Sequence, residues 1–172
     1  MLRFIMLVCT LVAAAGAADA QPTRDRLDGF NGVRFGTSFE RAKQALGATA
    51  KADTKVASGG RKLNVLSIDV TVDGQPYKTG YIFGTSDRMT LARITPHGVA
   101  LGKDKDACLQ VGTKMLTTLI RQYGKPSSEK KATDDRTLVF KFKDGNEIEA
   151  VSSFSVFCVT FASYFTPQGK ND

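Results

Sequence analysis

Apolar residues fall along this chain in several distinct patterns, and each predicts a different element. The first is a short unbroken run. Phe4 to Val8 and Leu11 to Ala15 follow a positive Arg3, and Ala18-Asp19-Ala20 sets small residues at the two positions a signal peptidase reads. The run is too short to cross a bilayer as a helix. Residues 1–20 are therefore expected to be a cleaved secretory signal, with Gln21 as the new N-terminus. Residues 21–172 then form a single domain, long enough to bury a core.

The second pattern has helical spacing. Thr37-Ser38-Phe39-Glu40 has the form of a capping box, with Thr37 or Ser38 as the cap, and Phe39, Ala42 and Leu46 follow on one stripe up to the stop at Gly47. Asp104 to Tyr123 carries the strongest helical signal. Cys108, Val111, Met115, Leu119 and Tyr123 share one face, Leu116 and Ile120 widen it, and Gly124 and Pro126 end it. Residues 48–61 are small, polar and lysine-rich, and read as a loop.

The third pattern alternates with period two. Leu66, Ile68, Val70 and Val72 lie on one face of a strand over 63–72, and Tyr77, Thr79, Tyr81 and Phe83 on one face of the next. A four-residue turn, Asp73 to Pro76, would set Val72 opposite Tyr77 and Leu66 opposite Phe83. A further strand is expected from Met89 to Thr95, after a turn at Ser86-Asp87. In the last third, Leu138, Phe140 and Phe142 alternate with polar positions. A loop of Asp144-Gly145-Asn146 would pair Lys143 with Glu147, Lys141 with Glu149, Phe142 with Ile148 and Phe140 with Ala150. Phe154 to Phe165 carries apolar residues on both faces and is expected to be a central or doubly covered strand. The order is helix, three strands, helix, three strands. The fold class it predicts is α+β: an antiparallel sheet with helices packed on one face, built as a duplicated α-β-β-β unit.

Composition changes this picture in two ways. The chain has three cysteines, and Cys9 lies in the expected signal. Cys108 and Cys158 remain, and an even count in an exported chain predicts a disulfide between them. It would close a loop of about fifty residues, worth on the order of 4 kcal/mol in the chain-entropy model. The formal net charge is +7. Export argues against nucleic acid, which leaves anionic lipid, lipopolysaccharide or wall polymer as charged ligands, beside a simple solvated basic surface.

Candidate chemistry is sparse. His97 stands alone in a Pro-His-Gly turn. No Gly-x-Ser-x-Gly, His-Glu-x-x-His or phosphate-binding loop occurs. Asp104 and Asp106 suit a helix start, and Asp134-Asp135 suits a turn, so no catalytic, metal or cofactor site is assigned. Lys103, Lys105, Arg121, Lys125, Lys130 and Lys131 flank the second helix and are the candidate anion-binding residues, if the helix ends and loops converge. Tyr77, Tyr81 and Phe83 are either core or an exposed aromatic platform.

Residues 30–47 add a resemblance. Phe30, Val33, Gly36, Thr37, Ser38 and Gly47 stand at the positions of a helix-entry motif, and the segment resembles that motif in the superfamily that contains the secreted β-lactamase inhibitory proteins and the small lipoprotein of the outer-membrane barrel assembly machine. The chain has Thr37 where that motif usually has methionine, and it lacks the lipoprotein's lipidated cysteine. The resemblance implies helices packed on an antiparallel sheet that offers a protein-binding face. The resulting expectation is an exported, non-catalytic protein that binds another envelope protein. The alternatives are a module for an anionic envelope ligand and a hydrolase with an unrecognised site.

Overall fold

The structure, a computed structural model, describes residues 25–56, 60–84, 86–97 and 104–170. The expected signal peptide, Gln21, Gly98 and Lys103 lie outside them. Among the described residues a small hairpin comes first, β1 (Gly29–Phe30) with β2 (Val33–Arg34). Then come α1 (Phe39–Leu46), β3 (Lys51–Val56), β4 (Lys62–Val72), β5 (Gln75–Phe83) and β6 (Met89–Pro96). The second half has α2 (Lys105–Tyr123), β7 (Ser128–Lys131), β8 (Asp135–Lys141), β9 (Glu147–Phe154) and β10 (Cys158–Phe165). Strands β3 to β10 form one antiparallel eight-stranded sheet in the order β3-β4-β5-β6-β10-β9-β8-β7. Each half is a helix followed by a four-strand meander, and the two meanders join at β6 and β10. The fold is α+β, as the patterning predicts, and the repeating unit has one more strand than expected.

The added strands are β3 and β7, the two edges of the sheet. All of Lys51 to Val56 and Ser128 to Lys131 is exposed. A strand wet on both faces has no apolar alternation to announce it, so residues 51–56 are strand where the sequence reads as loop. Phe154 to Phe165 is also not one strand. β9 runs on to Phe154, and Ser155 to Phe157 turn the chain into β10. β10 is central, between β6 and β9.

Both expected hairpin registers are off by two. Val72 pairs with Gln75 and Leu66 with Tyr81, because Asp73-Gly74 alone makes the turn. Both residues have positive φ, 50° and 72°. That is the two-residue geometry whose twist suits flanking strands. In the other hairpin Lys141 pairs with Glu147, Phe140 with Ile148 and Leu138 with Ala150. The loop there widens to residues 142–146. Phe142 leaves the ladder to pack on Tyr123, ring centroids 5.9 Å apart. Asp144 and Asn146 bind the Leu27 backbone at 3.0 and 2.9 Å. Lys143 pairs with Asp25 at 2.7 Å rather than with Glu147.

The core lies between the helices and one face of the sheet. Leu66, Tyr81, Phe83, Leu138, Phe140, Ile148 and Tyr164 meet Met115, Leu116 and Leu119 of α2 and Ala42 of α1. Tyr77, Tyr81 and Phe83 are buried, so they are core and not a platform. The α1 capping box does not form. Ser38 is the N-cap without a side-chain bond. Its segment is held instead by backbone bonds to β6, Gly36 N to Met89 O and Met89 N to Thr37 O, both 2.9 Å. On α2, Asp104 caps as a carboxylate should, accepting from the Ala107 amide at 3.0 Å. Gly124 closes it with φ 72° and an amide bond to Ile120 O at 2.7 Å.

The disulfide forms between Cys108 and Cys158, Cα atoms 5.6 Å apart, and ties the first turn of α2 to the start of β10. One turn on, Gly112 sits against the sheet. A Cβ there would come within 1.8 Å of Ser152 Oγ. No helix among the described residues is long and apolar enough to cross a membrane.

Candidate functional site

Strand periodicity decides which side chains meet the helices and which do not. The residues that alternate with the core positions project from the opposite face: Val65 and Ser67 on β4, Lys78, Gly80 and Ile82 on β5, Arg93 and Thr95 on β6, and Val159 and Phe161 on β10. On β8 and β9 they are Val139 and Val151. Neither helix packs on this face. The chain after β10 covers one corner of it, where Lys170 pairs with Glu147 at 3.0 Å and lies 5.5 Å from the Phe165 ring centre. Ile82, Val139, Val151, Val159 and Phe161 are left only partly buried.

A groove of about 470 Å³ runs over β4, β5 and β6 on this open face. Val65 and Ile82, paired across β4 and β5, form its apolar floor, and Gly80 is the next outward position along β5, opposite Ser67. Lys55 from the edge strand β3, Lys78 and Arg93 stand around it, with Ser67 and Thr95 adding hydroxyls. Arg93 is fixed. Its Nε donates to Ser163 Oγ at 3.0 Å, and its guanidinium carbon lies 4.6 Å over the Phe161 ring. His97 closes one end, where its Nε2 meets Asp69 at 3.0 Å. Beyond the disulfide, the β9–β10 turn presents Val156 and Phe157, 82% and 55% exposed.

The basic residues expected to gather around α2 are placed differently. Lys105 begins the helix and pairs with Asp134 at 2.7 Å. Arg121 is near its other end, about 24 Å away along the axis. It pairs with Asp73, which Thr118 also binds at 3.1 Å. Lys125 follows the helix, exposed. Lys130 and Lys131 are neighbours on the edge strand β7 and project to opposite faces. Among the described residues these side chains do not converge on one site. The groove cations were not singled out by sequence proximity, because cross-strand pairing brings them together from three separate strands. The available signal was the outward parity of Lys78 and Gly80.

Asp135 accepts from Ser153 Oγ, and Asp134 serves Lys105, so this acidic pair is engaged in local structure. Among the described residues no group of three His, Cys, Asp or Glu is placed to hold a metal ion. No protein-family model, curated protein or solved structure matches the chain.

Proposed function

We propose that the protein is exported and acts as a non-catalytic binding protein, taking another envelope protein on the open face of its sheet. The observation that carries this reading is the asymmetry of the sheet. One face is packed by two helices, while the other keeps partly buried Ile82, Val151, Val159 and Phe161 among lysines and an ordered arginine. Apolar and aromatic residues set among charges are the composition of a protein-binding patch. The exposed Val156 and Phe157 extend it at one end, on a turn anchored by Cys158. The signal-like pattern in residues 1–20 and the Cys108–Cys158 bond support export. The resemblance of residues 30–47 to the inhibitor superfamily supports a role in binding proteins.

The test is cross-linking in intact cells, with capture of the tagged protein and mass spectrometry of what accompanies it. One dominant protein partner is expected, retained in moderate salt. Its yield should fall when Phe157→Ser or Val151→Lys alters the open face, and should not change with Lys114→Ser on the exposed side of α2. No partner, or a partner indifferent to both open-face changes, overturns the reading.

A further inference from the structure

The groove over Gly80 has features that a protein-binding face alone does not require. Glycine inside a strand weakens it and usually marks a close backbone approach or a bulge. Neither applies here. Gly80 pairs regularly with Ser67 and Arg93. A Cβ built on it would meet nothing nearer than Val65 Cγ1 at 3.9 Å. It is also not among the positive-φ residues. Any β-former would fit this backbone, and its side chain would fill the groove. What glycine leaves is space above an apolar floor.

The charged side chains that line that space are cationic: Lys55, Lys78 and Arg93. Among the described residues, no carboxylate pairs with Lys55, Lys78 or Arg93. Two carboxylates stand beside it on the same face, Asp53 in register with Val65 and Asp69 with Lys78. Asp53 accepts from the Thr54 amide at 2.7 Å, and Asp69 meets His97. Arg93 is held by Ser163 and Phe161 through its Nε and its face, and among the described residues its Nη groups meet no carboxylate, so they can face a ligand. The volume, about 470 Å³, falls in the range of small-molecule sites, roughly 300–1,000 Å³.

We propose that this groove binds a small amphipathic anion: a carboxylate, sulfate or phosphate head on a short apolar body. The head meets Arg93, Lys78 and Lys55, and the body lies on Val65 and Ile82 over Gly80. An inorganic anion would leave the apolar floor unused, and a cationic amphiphile would meet the three cations. The site does not depend on a protein partner, so it stands or falls separately from the envelope-partner reading.

Calorimetric titration of the purified, oxidised protein tests it with three probes: decanoate, inorganic phosphate and decyltrimethylammonium. Decanoate is expected to bind one per chain, with at least tenfold preference over either of the others, and to weaken as salt is raised. Gly80→Val should weaken decanoate at least tenfold with an unchanged melting temperature. Should that variant melt lower, Lys78→Gln with Arg93→Gln serves in its place and should lower affinity and flatten the salt dependence. Equal binding of phosphate or of the cation overturns the proposal, as does decanoate binding indifferent to these substitutions, or no saturable binding at all.

Discussion

Gly112 is the position where one hydrogen atom decides how α2 meets the sheet. Alanine is normally the better helix former by about 1 kcal/mol. Here its methyl would enter Ser152 Oγ at 1.8 Å and Ser152 Cβ at 2.6 Å. Overpacking of this kind costs about 1–3 kcal/mol. Gly112→Ala is therefore expected to destabilise the protein by about 1–2 kcal/mol in urea unfolding. Adding Ser152→Gly should recover part of that loss. The tyrosines give a second prediction at this scale. Burial raises the pKa of Tyr77, Tyr123 and Tyr164, and pushes Tyr81 up to about 12. These are all four tyrosines of the chain. A phenol that holds its proton harder when folded contributes full stability below its unfolded value, about pH 10. That contribution is lost as pH rises through the folded values. Phenolate absorbance should consequently stay low through pH 10, and rise together with loss of tertiary structure between about pH 10 and 12. Tyrosines titrating near pH 10 in the folded protein would contradict the burial.

Two elements form the ends of the sheet, and both are built of residues that discourage a ninth strand. β3 reads Lys-Ala-Asp-Thr-Lys-Val and β7 reads Ser-Glu-Lys-Lys, all exposed. Charged edges keep unpaired backbone groups from templating another chain. Replacing Lys51, Lys55 and Lys130 together by valine should leave the monomer's melting temperature within about a degree or two, yet produce oligomers in light scattering. The same strands mark the limit of what patterning reveals. Alternation reports burial on one face, so it found β4, β5, β6 and β8 and passed over strands that are wet on both sides. It also fixes a strand only modulo two. Leu66 faces the core whether it pairs with Phe83 or with Tyr81, so the hairpin faces came out right while the registers did not. The turn chemistry of Asp73-Gly74 held the missing information. The α2 stripe was legible because its caps, Asp104 and Gly124, agree with its periodicity. The groove was less so: Gly80 is readable as an outward position, but its emptiness depends on Val65 and Ile82 across two strands.

At the scale of the whole molecule, two helix-plus-meander halves share one sheet through the β6–β10 seam. Its register runs from Ala162 opposite Ile94 to Phe165 opposite Leu91. The halves are not equivalent in how they are fastened. The second carries the 108–158 bond across a sequence separation of 50, and α1 in the first has no covalent tie: it is held by the backbone bonds of its entry segment to Met89 and by packing, chiefly Ala42 and the Phe39–Phe83 ring contact at 5.2 Å. Cys108→Ala with Cys158→Ala, or reduction, is expected to lower stability by about 4 kcal/mol in denaturant unfolding.

That bond gives the chain a dependence on where it is kept. In a thiol-rich compartment the same sequence would open on the order of a thousand times more often, and proteases that cut the opened form would clear it correspondingly faster. Under oxidising conditions it would persist. Under the proposed export, the cysteine pair would link the lifetime of the protein to its delivery, and molecules retained on the reducing side of a membrane would be the ones removed.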